Sequence, residues 1–165
     1  MDALIELGSV GAKLDPVSLG EKQETVFRIL RGLGKVIVAY SGGTDSAYLA
    51  WAAGQALGEN AIAVTADSAS VPESHKRDAE QFARAFGLKH EYITSHEFDN
   101  PLYAANNPDR CFHCKDELFG RLEEFGRQRG IQHIVYGVNV DDLGDYRPGQ
   151  NAAANHNVKA PLVEA

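Results

Sequence analysis

Cysteine is scarce in this chain of 165 residues, and its two cysteines, Cys111 and Cys114, lie only three positions apart. A bridge between such near neighbours closes too short a loop to hold a fold together, which excludes a disulfide-stabilised secreted domain. The chain needs no such cross-link, because a domain of about 150 residues already buries roughly 70% of its unfolded surface. In a cytoplasmic protein, a close pair of thiols instead indicates metal or redox chemistry.

Long apolar runs and a basic surplus are also missing. No run approaches the roughly 18 apolar residues of a membrane span, and no basic and apolar signal segment stands at the N-terminus. The 23 acidic residues outnumber the 16 Lys and Arg, so the formal net charge is −7 and nucleic acid is disfavoured as a partner. We therefore expect a cytoplasmic globular domain over residues 18–165, preceded by a flexible lead-in over residues 1–17, that binds neither membrane nor nucleic acid.

The apolar pattern switches repeatedly between strand and helix. It predicts strands over residues 35–40, 61–66, 88–93 and 131–137, and helices over residues 18–32, 46–57, 73–86 and 112–129. Two S-x-x-E segments, Ser18–Glu21 and Ser70–Glu73, predict capping boxes for the first and third helices. The buried face of the third helix is expected to comprise Ala79, Phe82, Ala83 and Phe86.

This alternation predicts an α/β fold, an open parallel sheet with helices on both faces. Ligands of such sheets bind beyond the carboxyl ends of the strands. Three polar segments fall at that edge of the predicted sheet: Ser41–Ser46, Thr65–Ser68 and Gly137–Asp145. The candidate functional residues are therefore expected to come together there.

Residues 36–46 read V-I-V-A-Y-S-G-G-T-D-S, a buried strand that ends in two glycines and continues as a helix. The free N–H groups and the dipole of a helix N-terminus favour an anion at such a turn. The loop lacks both the lysine of a Walker A motif and the spacing of G-x-G-x-x-G. Ser41 and Ser46 would add hydroxyl donors and Asp45 could hold Mg²⁺, while the alternative is a plain glycine turn that caps the helix.

The hexapeptide S-G-G-x-D-S after a buried strand resembles the PP-loop of the ATP pyrophosphatases. The resemblance implies an adenine nucleotide alpha hydrolase-like fold that splits ATP between the α and β phosphates and adenylates a carbonyl or carboxyl oxygen. It implies that pyrophosphate and Mg²⁺ are held by Ser41, Gly42, Gly43, Thr44, Asp45 and Ser46, and that Thr65, Ala66 and Asp67 contact the nucleoside. For Asp67 the alternative is ordinary turn chemistry.

The cysteine pair stands at the start of a predicted helix, where the pKa of a thiol is lowered. A structural zinc normally needs four ligands, and this segment offers Cys111, Cys114 and at most His113. A thioredoxin-like dithiol is a second alternative, but the surrounding chain lacks the order of helices and strands of that fold. An iron–sulfur site would need a further thiolate, and a pair of ordinary thiols is the remaining alternative.

A dense polar loop follows the predicted fourth strand. Its three carboxylates, Asp141, Asp142 and Asp145, suit Mg²⁺, and Arg147 suits a phosphate or a substrate carboxylate. We expect Asp45, Asp142 and Arg147 to be catalytic, Asp45, Asp141 and Asp145 to bind Mg²⁺, and Gly137 and Asn139 to contact the nucleotide. The alternative is a solvated acidic turn.

Four segments together, S-G-G-x-D-S, P-D-R-C-x-x-C-K, G-x-N-x-D-D-x-x-D-Y-R-P-G and A-P-L-V-E-A, closely resemble the LarE family over residues 35–165. These are ATP-dependent sacrificial sulfur transferases of nickel-pincer nucleotide cofactor biosynthesis. The resemblance implies adenylation of a carboxylate on a pyridinium dicarboxylate mononucleotide, then sulfur transfer that gives a thiocarboxylate, in a homo-oligomer. For members with the C-x-x-C, it also implies a [4Fe-4S] cluster held by Cys111, Cys114 and a third cysteine.

Members of that family continue into a second domain that carries the third cysteine, so we expect this chain to be the nucleotide-binding part of a longer enzyme. Three alternatives stay open. A PP-loop tRNA thiolase is disfavoured by the net charge of −7. An amidating synthetase leaves the cysteine pair unexplained, and a non-catalytic nucleotide-binding fragment predicts ATP binding without turnover.

Overall fold

The computed structural model describes residues 15–69, 71–95, 99, 101, 105, 110–139 and 148–165, with the backbone alone at residues 110, 111, 148 and 149. Its strands are β1 (Val36–Ala39), β2 (Ala61–Asp67), β3 (His90–Thr94) and β4 (His133–Tyr136). Its helices are α1 (Pro16–Leu33), α2 (Thr44–Leu57), α3 (Glu73–Ala85), α4 (Arg110–Arg129), α5 (Pro148–Asn155) and α6 (Pro161–Glu164), with a 3₁₀ turn at Gly58–Asn60. Within these ranges no helix is both long and apolar enough to cross a membrane.

The strands form one parallel sheet in the order β3-β2-β1-β4. Val38 of β1 pairs with Ala63 of β2 on one side and with Val135 of β4 on the other. Lys159 extends the sheet beyond β4, since its N–H donates to the Ile134 carbonyl at 2.9 Å. The predicted open parallel sheet is confirmed, and its strands present their carboxyl ends at one edge.

Helices cover both faces of the sheet, as predicted. Side chains alternate along β1, so Val36 and Val38 pack into the cluster formed with α1, α2 and α3. Ile37 and Ala39 point the other way, into the cluster formed with α4 and α5. A strand that is buried on both faces explains the continuous apolar run V-I-V-A in the sequence.

The first helix begins earlier than predicted. Its N-cap is Asp15, whose Oδ1 accepts a hydrogen bond from the Val17 N–H at 3.2 Å. Pro16 occupies the first helical position, where its fixed φ suits the helix and its missing N–H costs nothing. The predicted capping box at Ser18 is therefore wrong, and the expected lead-in to residue 17 includes the start of this helix.

The third helix also departs from the prediction. Its N-cap is Pro72, whose ring carries no hydrogen-bonding atom, and the helix starts at Glu73. The predicted capping box begins at Ser70, which lies outside the described residues. The helix ends at Ala85, which leaves Phe86 in the cap with 52% of its surface exposed. Phe86 was expected on the buried face, but it instead stacks on the Phe82 ring, with centroids 4.6 Å apart.

His156, in the turn after α5, joins that helix to α4 through two carboxylates. Its Nε2 lies 2.7 Å from Asp116 Oδ1 and its Nδ1 lies 2.9 Å from Glu123 Oε1. Burial lowers the pKa of His156, but the hydrogen bonds to Asp116 and Glu123 outweigh it and raise the pKa above the usual value. Because both ring nitrogens face acceptors, the doubly protonated imidazolium fits the site best.

This contact predicts a pH-dependent stability. A histidine whose pKa is raised in the folded state stabilises fully below its unfolded pKa of about 6.5 and loses that contribution as the pH rises through the folded pKa. His156→Gln is therefore expected to lower the free energy of unfolding in urea by about 1 kcal/mol at low pH, since the carboxylates are partly exposed, and by less at high pH. His75→Gln, at an exposed histidine, is the control. An equal loss for His156→Gln at both pH values would contradict this interpretation.

Candidate functional site

The glycine loop at Ser41–Gly43 joins β1 to α2 and is held together by its own hydroxyl groups. The buried Ser46 Oγ accepts the Ser41 N–H at 3.2 Å, lies 3.0 Å from Ser41 Oγ and can donate to the Gly43 carbonyl at 3.2 Å. The Gly43 N–H points to Ser41 Oγ at 3.4 Å. The two hydroxyls, expected as donors to an anion, thus serve the conformation of the loop in this structure.

Gly42 makes the sharp turn that the loop requires. Its φ is +86°, a conformation that residues with a Cβ rarely adopt. A Cβ at this position would also lie 3.4 Å from both the Ala79 Cβ and the His75 carbonyl oxygen of α3. The loop therefore rests directly on α3, and a glycine is needed for both conformation and space.

The loop delivers the chain to the N-terminus of α2. Gly43 is the N-cap, makes no side-chain cap, and its carbonyl accepts the first helical bond from the Ala47 N–H at 2.9 Å. The N–H groups of the first helical residues, Thr44 to Ser46, have no intrahelical acceptor. The N–H groups that an anion at this turn would use are consequently present, while the binding of an anion there stays a prediction.

The end of β4 meets the same helix terminus. Asn139 Nδ2 donates to Asp45 Oδ2 at 2.9 Å, and Gly137 packs against the backbone of Asp45 and Ser46. In the described part of the chain only Oδ2 of this carboxylate is engaged, so Oδ1 remains available to a cation. The sheet therefore brings Asp45, Gly137 and Asn139 together, as their positions at the strand ends predict.

A cavity of about 290 Å³ opens at this edge of the sheet. Predicted site residues that line it are Ser41, Gly43, Asp45, Ser46, Thr65, Ala66 and Gly137. The half-buried thiol of Cys114, on the first turns of α4, lines the same cavity. The glycine loop, which suits a phosphate, and the thiol of Cys114 thus share one space between α2 and α4.

Asp67 is directed elsewhere. Its Oδ1 lies 2.5 Å from Lys76 Nζ, which also lies 2.7 Å from Glu73 Oε1. Hydrogen bonds to Asp67 and then Glu73 raise the pKa of Lys76 to about 12. Asp67 does not line the cavity among the described residues, and neither does Thr44, so their predicted contacts with a nucleotide stay predictions.

Several predicted site residues lie outside the described residues: Asp141, Asp142, Asp145, Arg147 and the side chain of Cys111. Over the ranges that the structure describes, no three His, Cys, Asp or Glu side chains are grouped so that they could hold a metal. The predicted Mg²⁺ cluster and iron–sulfur site therefore stay predictions.

Sequence reasoning missed part of the opposite wall. Lys115 and Leu118 of α4 line the cavity beside Cys114, and so do Val71 and Ser95. Leu118 follows Cys114 by one helical turn, and that spacing could have placed both on one face. Val71 stands in a segment without periodicity, whereas Ser95 directly follows β3 and so lies at the carboxyl edge of the sheet, where ligands bind.

Comparisons with known proteins show what the chain is similar to. A protein-family model described as NAD synthase matches residues 28–138. The chain is 40% identical over 146 residues to an uncharacterised protein of Synechocystis sp., covering 88% of this chain and 54% of that one. It is 29% identical over 149 residues to the pyridinium-3,5-bisthiocarboxylic acid mononucleotide synthase of Lactiplantibacillus plantarum, and the match covers 90% of this chain and 54% of that one. This LarE-type relative confirms the predicted resemblance.

A solved structure shares the fold. The NMN synthetase of Francisella tularensis superimposes with a TM-score of 0.65 at 17% identity, covering 87% of this chain and 64% of that one. The chain spans about half the length of the curated relatives it matches.

Proposed function

The chain belongs to the NAD synthase family, and on this basis we propose that it adenylates a substrate carboxylate with ATP and supports sulfur transfer to give a thiocarboxylate. Membership of this ATP-binding PP-loop family implies ATP and Mg²⁺. The observation that carries the proposal is the shared cavity, in which the Cys114 thiol faces the same space as the glycine loop. The identity to the thiocarboxylic acid mononucleotide synthase supports the sulfur step.

The adenylation step uses the loop to hold the leaving group. A carboxylate oxygen of the substrate attacks the α-phosphorus of ATP, the bond from that phosphorus to the bridging oxygen breaks, and pyrophosphate leaves. Negative charge grows on the pyrophosphate as the bond breaks, and the N–H groups of Thr44 to Ser46 are oriented in advance to receive it. The product is an acyl adenylate.

The sulfur step then consumes the acyl adenylate. A sulfur nucleophile attacks the acyl carbon, the bond from that carbon to the bridging oxygen breaks, and AMP leaves with one oxygen that came from the substrate carboxylate. With sulfide as the nucleophile, the sulfur stays on the acyl carbon and the product is a thiocarboxylate. Cys114 lines the cavity in which this step would take place.

Asp45 Oδ1 fits a role in holding Mg²⁺, which neutralises charge on the phosphates. We keep Asp141 and Asp145 as further metal ligands, and Asp142 and Arg147 as catalytic groups, on the sequence argument alone. An iron–sulfur cluster would need at least Cys111 and another thiolate besides Cys114. The described residues place one thiol at the cavity, so no step is assigned to a cluster.

One relative supports a substrate class. A synthase named for a pyridinium bisthiocarboxylic acid mononucleotide is 29% identical to this chain, and we propose a pyridinium dicarboxylate mononucleotide as the carboxylate substrate. A cytoplasmic location and a homo-oligomeric assembly remain parts of this proposal that rest on the sequence.

An oxygen-transfer experiment tests the proposal. The protein is incubated with Mg-ATP, inorganic sulfide and the mononucleotide labelled with ¹⁸O in its carboxylates, and AMP is analysed by mass spectrometry. The proposal predicts AMP with one ¹⁸O and a thiocarboxylate product. Labelled AMP that forms with ammonia in place of sulfide would favour an amidating synthetase. Turnover that requires tRNA would favour a tRNA thiolase, and binding of ATP without formation of AMP would favour a non-catalytic fragment.

A further inference from the structure

A buried hydrogen-bond network lies beneath the glycine loop. Thr65, with 2% of its surface exposed, donates from Oγ1 to the Tyr40 carbonyl at 2.8 Å. The same Oγ1 lies 2.7 Å from His90 Nε2. A hydroxyl has one hydrogen, and the carbonyl can only accept, so both contacts are satisfied only when His90 donates from Nε2. The network therefore selects the Nε2–H tautomer of His90.

The surroundings of His90 keep it in that neutral form. Burial lowers the pKa of His90, and Glu80 opposes this only in part. The ring packs edge-on against Tyr40, with centroids 5.4 Å apart, and at a tilt against Tyr92, with centroids 4.9 Å apart. Its orientation toward Thr65 is fixed by these aromatic contacts.

Tyr40 is the residue immediately before the loop, and three of its polar groups are held. Its N–H donates to the Val64 carbonyl at 3.0 Å, its carbonyl accepts from Thr65, and its hydroxyl donates to the Ala79 carbonyl at 3.1 Å. Ala79 is also the α3 residue against which Gly42 rests. The direction in which the chain enters the loop is thus set jointly by β2, β3 and α3.

We propose that His90 is a positioning residue for the phosphate loop, since its Nε2–H directs the Thr65 hydroxyl to the Tyr40 carbonyl. His90 lines no part of the nucleotide cavity among the described residues, so it acts through Thr65 and Tyr40. This inference rests on the proposed function, because it takes ATP as the ligand of the loop.

Two variants separate the hydrogen bond from the packing. His90→Phe keeps an aromatic ring against Tyr40 but loses the donor, whereas His90→Gln keeps a donor at a similar reach and loses the ring. We expect His90→Phe to weaken the Kd for Mg-ATP about five- to tenfold, the size of one net hydrogen bond. We expect His90→Gln to bind Mg-ATP with most of the wild-type affinity, although it lowers the thermal unfolding midpoint at least as much as His90→Phe does.

A double-mutant cycle tests the route of the effect. In a Thr65→Val background, His90→Phe is expected to have no further effect on the Kd, because the group through which His90 acts has gone. Three results would each overturn the proposal. The first is an unchanged Kd in His90→Phe, and the second is an affinity for Mg-ATP that falls together with the unfolding midpoint in both variants. The third is additive losses of affinity in the double-mutant cycle. A wild-type protein that fails to bind Mg-ATP would instead refute the proposed function. In that case nitrogen NMR still tests the tautomer of His90. An imidazole protonated at Nδ1 would overturn the inference.

Discussion

Replacing Gly137 by alanine is expected to weaken ATP binding by roughly 10- to 100-fold, the effect of about 1–3 kcal/mol of overpacking. A Cβ at this position would lie 2.6 Å from the Ser46 N atom and 2.8 Å from the Asp45 carbonyl carbon. Both are backbone atoms at the start of α2, so no side-chain rotation relieves the clash. The helix terminus must instead move away from β4, which displaces the N–H groups proposed to bind phosphate.

Calorimetric titration of Gly137→Ala with Mg-ATP measures this effect, and a thermal scan shows whether the variant still unfolds cooperatively. Gly20→Ala is the matched control, because Gly20 lies in α1 and a Cβ there meets nothing within 4 Å. The control is expected to keep wild-type affinity and to gain about 1 kcal/mol of stability, since alanine favours a helix over glycine. Wild-type affinity in Gly137→Ala would show that the junction of β4 and α2 does not shape the site.

Asp45→Asn is expected to slow the release of pyrophosphate from ATP by about 100-fold or more, because electrostatic groups at a reacting phosphate contribute effects of this size. Asparagine has the size of aspartate and can still accept the hydrogen bond from Asn139. The substitution therefore removes the negative charge that would hold Mg²⁺ while it preserves the contact between β4 and the helix terminus.

A coupled pyrophosphate assay across a range of Mg²⁺ concentrations measures the loss. Asp78→Asn removes an exposed carboxylate of α3 that lies outside the cavity, and it is expected to leave the rate unchanged. If Asp45→Asn reached the wild-type rate at the Mg²⁺ concentration that saturates the wild type, Asp45 would have no role in metal binding.

The sheet could be predicted from sequence because its signals are local and repeated. Runs such as V-I-V-A at β1 are buried on both faces, and glycines such as Gly58 close the helices between them. The ends of the helices were harder, because several local patterns compete for the same cap. At α1 the Asp15–Pro16 pair prevailed over the S-x-x-E box that begins at Ser18, and at α3 the N-cap is Pro72, which makes no side-chain cap.

The site was predictable where topology determines it. Parallel strands place their carboxyl ends together, so Asp45, Thr65 and Gly137 meet although they are distant in sequence. What could not be read from the sequence are contacts made by side chains that arrive on other elements. Lys76 reaches Asp67 from α3, and His90 reaches Thr65 from β3, and no spacing rule along the chain foretells either pair.

The products of ATP consumption test the central claim most directly. The protein is incubated with Mg-ATP labelled at the α-phosphate, a pyridinium dicarboxylate mononucleotide and inorganic sulfide, and the nucleotide and phosphate products are separated and counted. Cleavage between the α and β phosphates predicts labelled AMP and an equal amount of pyrophosphate. Formation of labelled ADP with inorganic phosphate would contradict the assignment of the glycine loop as a pyrophosphate-binding loop.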